Sequence, residues 1–196
     1  MWAKPMTLNG KHGSVVPLDP SHVADLREAS ADGELHRLWY TTIPAPKDVE
    51  QEIERRLSLT KTGSMVAFAI LDARGTPVGM TTYMNVDHAN RRLEIGSTWY
   101  RKSVQGGPLN TECKRLLLGH AFDDLSAIAV EFRTHFVNHQ SRRAIERLGA
   151  KLDGILRSHS IMPNGTLRDT AVYSITAAEW PMVRAHLDWQ MEKPRG

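Results

Sequence analysis

The chain has 196 residues, 41% of them hydrophobic and 24% charged, with a formal net charge of +3 and a pI near 9.1. That is the composition of a globular domain with a real core, and a single domain over residues 1–196 is expected. The longest apolar run, Met65 to Leu71, falls far short of the roughly 18 residues of a membrane span. The N-terminal Met1-Trp2-Ala3-Lys4-Pro5 lacks the apolar h-region of a secretory signal, so a cytoplasmic location is expected. Cys113 stands alone, which excludes an internal disulfide and a Cys-rich zinc site and leaves it as a small packed residue. Arginine pairs (Arg91-Arg92, Arg142-Arg143) are scattered, so nucleic-acid binding is permitted but not indicated.

In chain order, Val15 to Leu18 reads as a strand stopped by Asp19-Pro20, and His22 to Asp32 has helical spacing through Val23, Leu26 and Ala29. A second helix begins near Pro46, buries Val49, Ile53 and Leu57, and ends at Gly63. Between them Leu35 to Pro46 holds Trp39, Tyr40 and two prolines; a pocket wall and core packing are both open for these aromatics. Met65–Leu71, Val78–Val86 and Leu93–Tyr100, separated by short turns, form an antiparallel meander. Residues 103–125 then join a Gly106-Gly107-Pro108 turn to a helix whose apolar side carries Leu116, Leu117, Ala121 and Leu125. Strict alternation from Ile128 to Val137 marks another strand. Asn138 is a good N-cap for a helix running to Leu148, with Gly149 at C′. Ile155–Met162 and Arg168–Ile175 flank the hairpin signal Asn164-Gly165. Thr176 to Glu179 reads as a capping box before a last helix with Trp180, Val183, Leu187 and Met191.

The glycine turn feeding a helix presents unpaired N–H groups at a positive helix end, the elementary device for holding phosphate. Neither G-x-x-x-x-G-K-[ST] nor G-x-G-x-x-G occurs in the chain. The run Gln105-Gly106-Gly107-Pro108-Leu109-Asn110-Thr111-Glu112, the stretch from Asn110 to Phe122, Asn138 to Ala150, and Met162-Pro163-Asn164-Gly165-Thr166-Leu167-Arg168-Asp169 together resemble the GCN5-related N-acetyltransferase (GNAT) family, in its ribosomal-protein-alanine branch. The likeness extends over nearly the whole chain. Pro108 and Asn110 depart from the family pattern Q/R-x-x-G-x-G/A, and proline deletes one N–H donor.

The resemblance implies an α+β, three-layer acyltransferase fold with a mostly antiparallel mixed sheet flanked by helices. It implies acetyl-CoA as cofactor and direct acetyl transfer to an amine, a protein N-terminus or a small molecule; dimers are common in the family. Gln105, Gly106, Gly107, Leu109, Asn110 and Thr111 would wrap the pyrophosphate, with Arg143 near it, and the backbone near Ser97 to Trp99 would pair with the pantetheine arm where two strands splay. Asn138 and Ser141 occupy an N-x-x-S position at which the family contacts pantetheine and the branch uses serine as proton donor to the thiolate; simple helix capping is the alternative. Glu94 stands where several members place a general base; the alternative is a strand-face glutamate paired with Arg91 or Arg92. Glu131 and His135 are expected on the sheet surface, and Arg142, Arg143 and Lys114 as solvated charges. His135 on a strand and His139 opening a helix lack the geometry of a zinc helix, so no metal is assigned. Acceptor choice would lie around Trp39 and Tyr40. A catalytically silent acyl-CoA-binding module is the reading from another class.

Overall fold

The computed structural model describes residues 2–193. Its strands are β1 (Leu8–Asn9), β2 (Gly13–Pro17), β3 (Met65–Asp72), β4 (Pro77–Asp87), β5 (Arg92–Tyr100), β6 (Ala129–His135), β7 (Lys151–Ile161) and β8 (Leu167–Thr176). The helices are α1 (Val23–Ala31), α2 (Val49–Thr62), α3 (Leu109–Gly119), α4 (His139–Arg147) and α5 (Trp180–Glu192). All eight strands form one sheet in the order β1-β2-β3-β4-β5-β6-β8-β7. Only β5 and β6 run parallel.

Strand β3 shows why the sheet has two covered faces. Met65, Ala67 and Ala69 belong to a core with Leu26, Val49 and Ile53 of α1 and α2. Val66, Phe68 and Ile70 belong to a second core with Leu117 of α3 and with Val183 and Leu187 of α5. The continuous apolar run is therefore a period-two strand buried on both sides, between two helical layers. This is the three-layer α+β arrangement expected from the sequence.

Several boundaries differ from the sequence reading, each for a local reason. The helix through residues 103–125 is regular only to Gly119 and continues as a π-helical turn over His120–Asp124. There Leu125 N–H reaches His120 O, and the Tyr83 hydroxyl donates to Leu117 O at 2.6 Å, inserting into the helical ladder. The helix buries Cys113, Leu117, Leu118 and Ala121, whereas Leu116 is only half-buried. Strand β7 begins at Lys151, earlier than Ile155, because pairing with β8 extends to Ser174 past a bulge at Asp153. The Thr176 capping box is incomplete: its N–H and hydroxyl both donate to Glu179, each at 2.9 Å, and α5 starts one residue later. Gly63 and Gly149 do take the left-handed conformations expected of helix ends, with φ of 80° and 98°.

Candidate active site

The site is a gap in the sheet. β5 and β6 pair only at Arg92–Ala129, Leu93–Val130 and Glu94–Glu131, although β5 continues to Tyr100 and β6 to His135. Beyond Glu94 the two strands diverge, and a cavity of about 680 Å³ opens between them. The cause is visible on β5: between the pairs Thr82–Gly96 and Met80–Trp99, three steps on β5 face two on β4, a bulge at Ser97 and Thr98. Ser97 has φ of 48°, an unusual conformation for a non-glycine residue. Arg56 of α2, only 1% exposed, holds the bulge by donating from Nη2 to Ser97 O at 3.1 Å. Its Nε is anchored on Glu52 at 2.7 Å.

One end of the cavity is the α3 N-terminus. Among the described residues no side chain caps it, and the first backbone bond is Glu112 N–H to Pro108 O at 3.0 Å. The N–H groups of Leu109, Asn110 and Thr111 therefore precede the helical ladder and stay available to an anion. Gly106 takes φ of 80°, and a Cβ on Gly107 would touch only Val104 O, at 3.5 Å, so the approach to this end is open. Pro108 occupies the N-cap, where its missing donor costs no helical bond. Gln105 is fixed by its Nε2 donating to Tyr100 O at 3.0 Å. The side chains divide: Gln105, Gly106, Gly107 and Asn110 line the cavity, whereas Leu109 is core under Gly13 and neither Leu109 nor Thr111 lines it. The preceding loop is tied down by Asp32, which accepts from Arg101 Nε at 3.1 Å and Ser103 N–H at 2.9 Å.

The opposite wall is the start of α4. Asn138 caps it, its Oδ1 accepting from Ser141 N–H at 3.0 Å. Ser141 lines the cavity and its hydroxyl makes no hydrogen bond among the described residues. Arg143 is exposed at the rim. Ser97 and Trp99 also line it, but the Trp99 indole packs in the core against α1 and α2, so its share of the slot is backbone.

Glu94 is 5% exposed, and its Oε2 accepts from Asn85 Nδ2 at 2.8 Å. Its ion-pair partner is Arg133 at 3.6 Å, not Arg91 or Arg92; Arg92 pairs with Glu131. Burial raises the Glu94 carboxyl above the usual range, opposed by Asn85, Arg133 and Arg168. Glu94 lies outside the cavity lining, yet a Cβ at lining residue Gly96 would come within 2.8 Å of its Oε1. The carboxylate thus stands at the floor's edge, one residue position from the slot.

The segment between α1 and α2 does form a wall: Leu35, Leu38, Tyr40, Thr41, Thr42 and Ile43 line the cavity. Trp39 does not. It is half-exposed and stacks edge-on against His135 at 5.2 Å. His135 is accordingly buried, not on the sheet surface as expected; burial and nearby Arg168 lower its pKa. Two further expectations are overturned. Arg142 is engaged by Tyr173 Oη at 2.9 Å and by the Phe136 ring. Lys114 is not solvated but 6% exposed, with Nζ donating to Thr98 Oγ1 at 2.7 Å inside the cavity. Its position was readable, since Lys114 lies four residues after Asn110 on one helical face; its burial was not. Among the described residues no group of three or more His, Cys, Asp or Glu side chains could hold a metal, and no helix is long and apolar enough to cross a membrane.

A splayed parallel pair beside an uncapped helix end fits a long, polyanionic thioester carrier. Residues 14–151 match the model of the acetyltransferase (GNAT) domain. The chain is 33% identical over 106 residues to the Bacillus subtilis (strain 168) protein named "Putative ribosomal N-acetyltransferase YdaF", the match spanning 54% of this chain and 57% of that one. The crystal structure of an acetyltransferase from T. thermophilus superposes with TM-score 0.86 at 34% identity, over 97% of this chain and all (100%) of that one. Mycobacterium smegmatis RimJ in complex with CoA-disulfide shares the fold with TM-score 0.80 at 23% identity, over 95% of each chain. The chain belongs to the GNAT acetyltransferases, the acetyl-CoA-dependent N-acetyltransferases, and its cleft has the geometry their cofactor requires.

Proposed function

We propose that the protein acetylates the α-amine of a protein N-terminus, with a ribosomal-protein alanine as the acceptor type, in one N-acetyltransferase domain working in the cytoplasm. The observation that carries this reading is the buried Glu94 carboxyl beside Gly96, whose pKa is raised by burial. At pH 7 an α-amine of pKa about 7.7–8.0 needs only about 1–1.4 kcal/mol to become neutral, whereas a lysine amine needs about 4.6. A carboxylate with a modestly raised pKa, acting through water, suits the first task better. The ribosomal designation of YdaF agrees, over the part of each chain that matches.

Bound acetyl-CoA supplies the thioester that the amine attacks. In this assignment the N–H groups of Gly106 to Thr111, with Gln105 and Arg143 near them, hold its phosphates. The β5 backbone from Ser97 to Trp99 and Asn138 position its arm. Ser141 gives a proton to the departing thiolate, Glu94 takes one from the amine, and Tyr40 with Trp39 flanks the acceptor. The deciding measurement is a turnover panel of N-terminal peptides beside polyamines, aminoglycosides and amino-acid amides. Peptide turnover with little turnover of small amines is the expected result. Fast small-amine turnover without peptide turnover overturns it, and cofactor binding without turnover on any amine marks a silent module.

A further inference from the structure

Among the described residues, Lys114 is the one buried cation in the cavity that the assignment above leaves idle. Five basic residues line this space, Lys114, Arg133, Arg143, Arg147 and Arg168, and no described Asp or Glu does. Arg133 is neutralised by Glu94 and Glu131. Lys114 forms no ion pair among the described residues; its one recorded partner is the neutral Thr98 hydroxyl, itself 2.7 Å from Thr81 Oγ1. A buried ammonium without a counter-charge is costly, and a helical side chain leans toward its own N-terminus, here toward Asn110 and the glycine turn.

We propose that Lys114 is the buried counter-charge for the cofactor's pyrophosphate, and that binding of coenzyme A is coupled through it to uptake of one proton. The surroundings are consistent on every side. From α3, Cys113 adjoins it, and Glu112 is turned away to accept from Lys11 and His12 N–H at 2.8 and 2.7 Å. From β5 come Thr98 and Tyr100, from β4 Thr81, and across the space stand Arg143 and Arg147 of α4, Arg133 of β6 and Arg168 of β8. Burial lowers the Lys114 amine to about 7, while it raises Cys113 to about 12 and Tyr100 well above its usual value. Lys114 is therefore the group here that changes charge between pH 7 and 9. An arriving dianion favours the ammonium, and by linkage a group whose pKa rises on binding makes affinity fall as pH rises above its free value.

This inference rests on the cofactor assignment, and the test keeps the two apart. Calorimetric titration with unacylated coenzyme A at pH 8, in two buffers of different ionisation enthalpy, counts the protons directly. The expected result for wild type is uptake of about one proton and an affinity that falls by about tenfold per pH unit between pH 8 and 9. Lys114→Met, close in length and uncharged, is expected to bind more weakly at pH 7, with no proton uptake and a flat pH profile. Wild type that binds with no proton uptake overturns the proposal and leaves the cofactor assignment standing, a result that needs no variant. A Lys114→Met protein that keeps the uptake also overturns it. Failure of wild type to bind at any pH overturns both.

Discussion

The two ends of the cleft are built on different principles. At the cradle end the working groups are backbone N–H donors of α3, left free by the arithmetic of a helix terminus and reached across two glycines. At the reacting end they are side chains, Glu94 and Ser141, whose value depends on supports elsewhere: Asn85 and Arg133 for the first, the Asn138 cap for the second. A site made of backbone tolerates a departure such as Pro108, which takes the N-cap and leaves the helical ladder intact. A site made of side chains does not tolerate a changed atom.

The sharpest way to separate the ends is Glu94→Gln. It is expected to lower kcat by about 10²–10⁴-fold while leaving coenzyme A affinity unchanged, measured by steady-state kinetics beside calorimetry. An equal loss of affinity would place Glu94 in cofactor binding instead. The pH profile carries a sign. The raised carboxyl must be ionised to act, so wild-type activity falls as pH drops through a value above the ordinary glutamate range. The folded-state pKa is raised, so the stability linked to Glu94 is fully present below the unfolded value and is lost as pH rises through the folded one. Removing the charge is therefore expected to leave the thermal midpoint at pH 7 unchanged or higher.

At the other end, Gly107→Glu is expected to weaken coenzyme A binding by about 100-fold, about 2.7 kcal/mol, by placing a carboxylate where the cradle takes phosphate. A Cβ there meets only one carbonyl at van der Waals distance, so the far-ultraviolet circular dichroism is expected to match wild type. Unchanged binding would move the phosphate site away from residues 105–111.

The smallest effect on activity, and the most informative about what joins the ends, is expected from Arg56→Met. Arg56 touches neither end but holds the bulge that opens the slot. The variant removes one partner of a buried ion pair and is expected to cost about 3 kcal/mol of stability in denaturant unfolding. Its KM for acetyl-CoA is expected to rise about tenfold with kcat near wild type. A changed kcat with KM intact would tie the bulge to the chemistry instead.

The readable parts of the molecule are those where neighbours in sequence are neighbours in space. The glycine turn and its helix, the Asn138 cap with Ser141 three residues on, the Asn164-Gly165 hairpin and the period-two strand β6 all obey local rules of dihedral angle, capping and periodicity. The π-helical turn was not readable, because it answers to the Tyr83 hydroxyl 34 positions away in the chain from Leu117. Nor was the burial of His135 under Trp39, a contact between two segments with no shared pattern.

Lys114 shows the limit most clearly. The sequence by itself determined that this lysine shares a helical face with Asn110, that the chain folds as strands between helices, and that a phosphate-ready turn precedes α3, because each follows from short-range stereochemistry. Only the tertiary structure decided that β5 parts from β6 after Glu94, that Arg56 pins the bulge from another helix, and that Lys114 lies in a space lined by no described carboxylate. Those facts depend on what desolvates a group and what faces it, and both are set by residues far away along the chain.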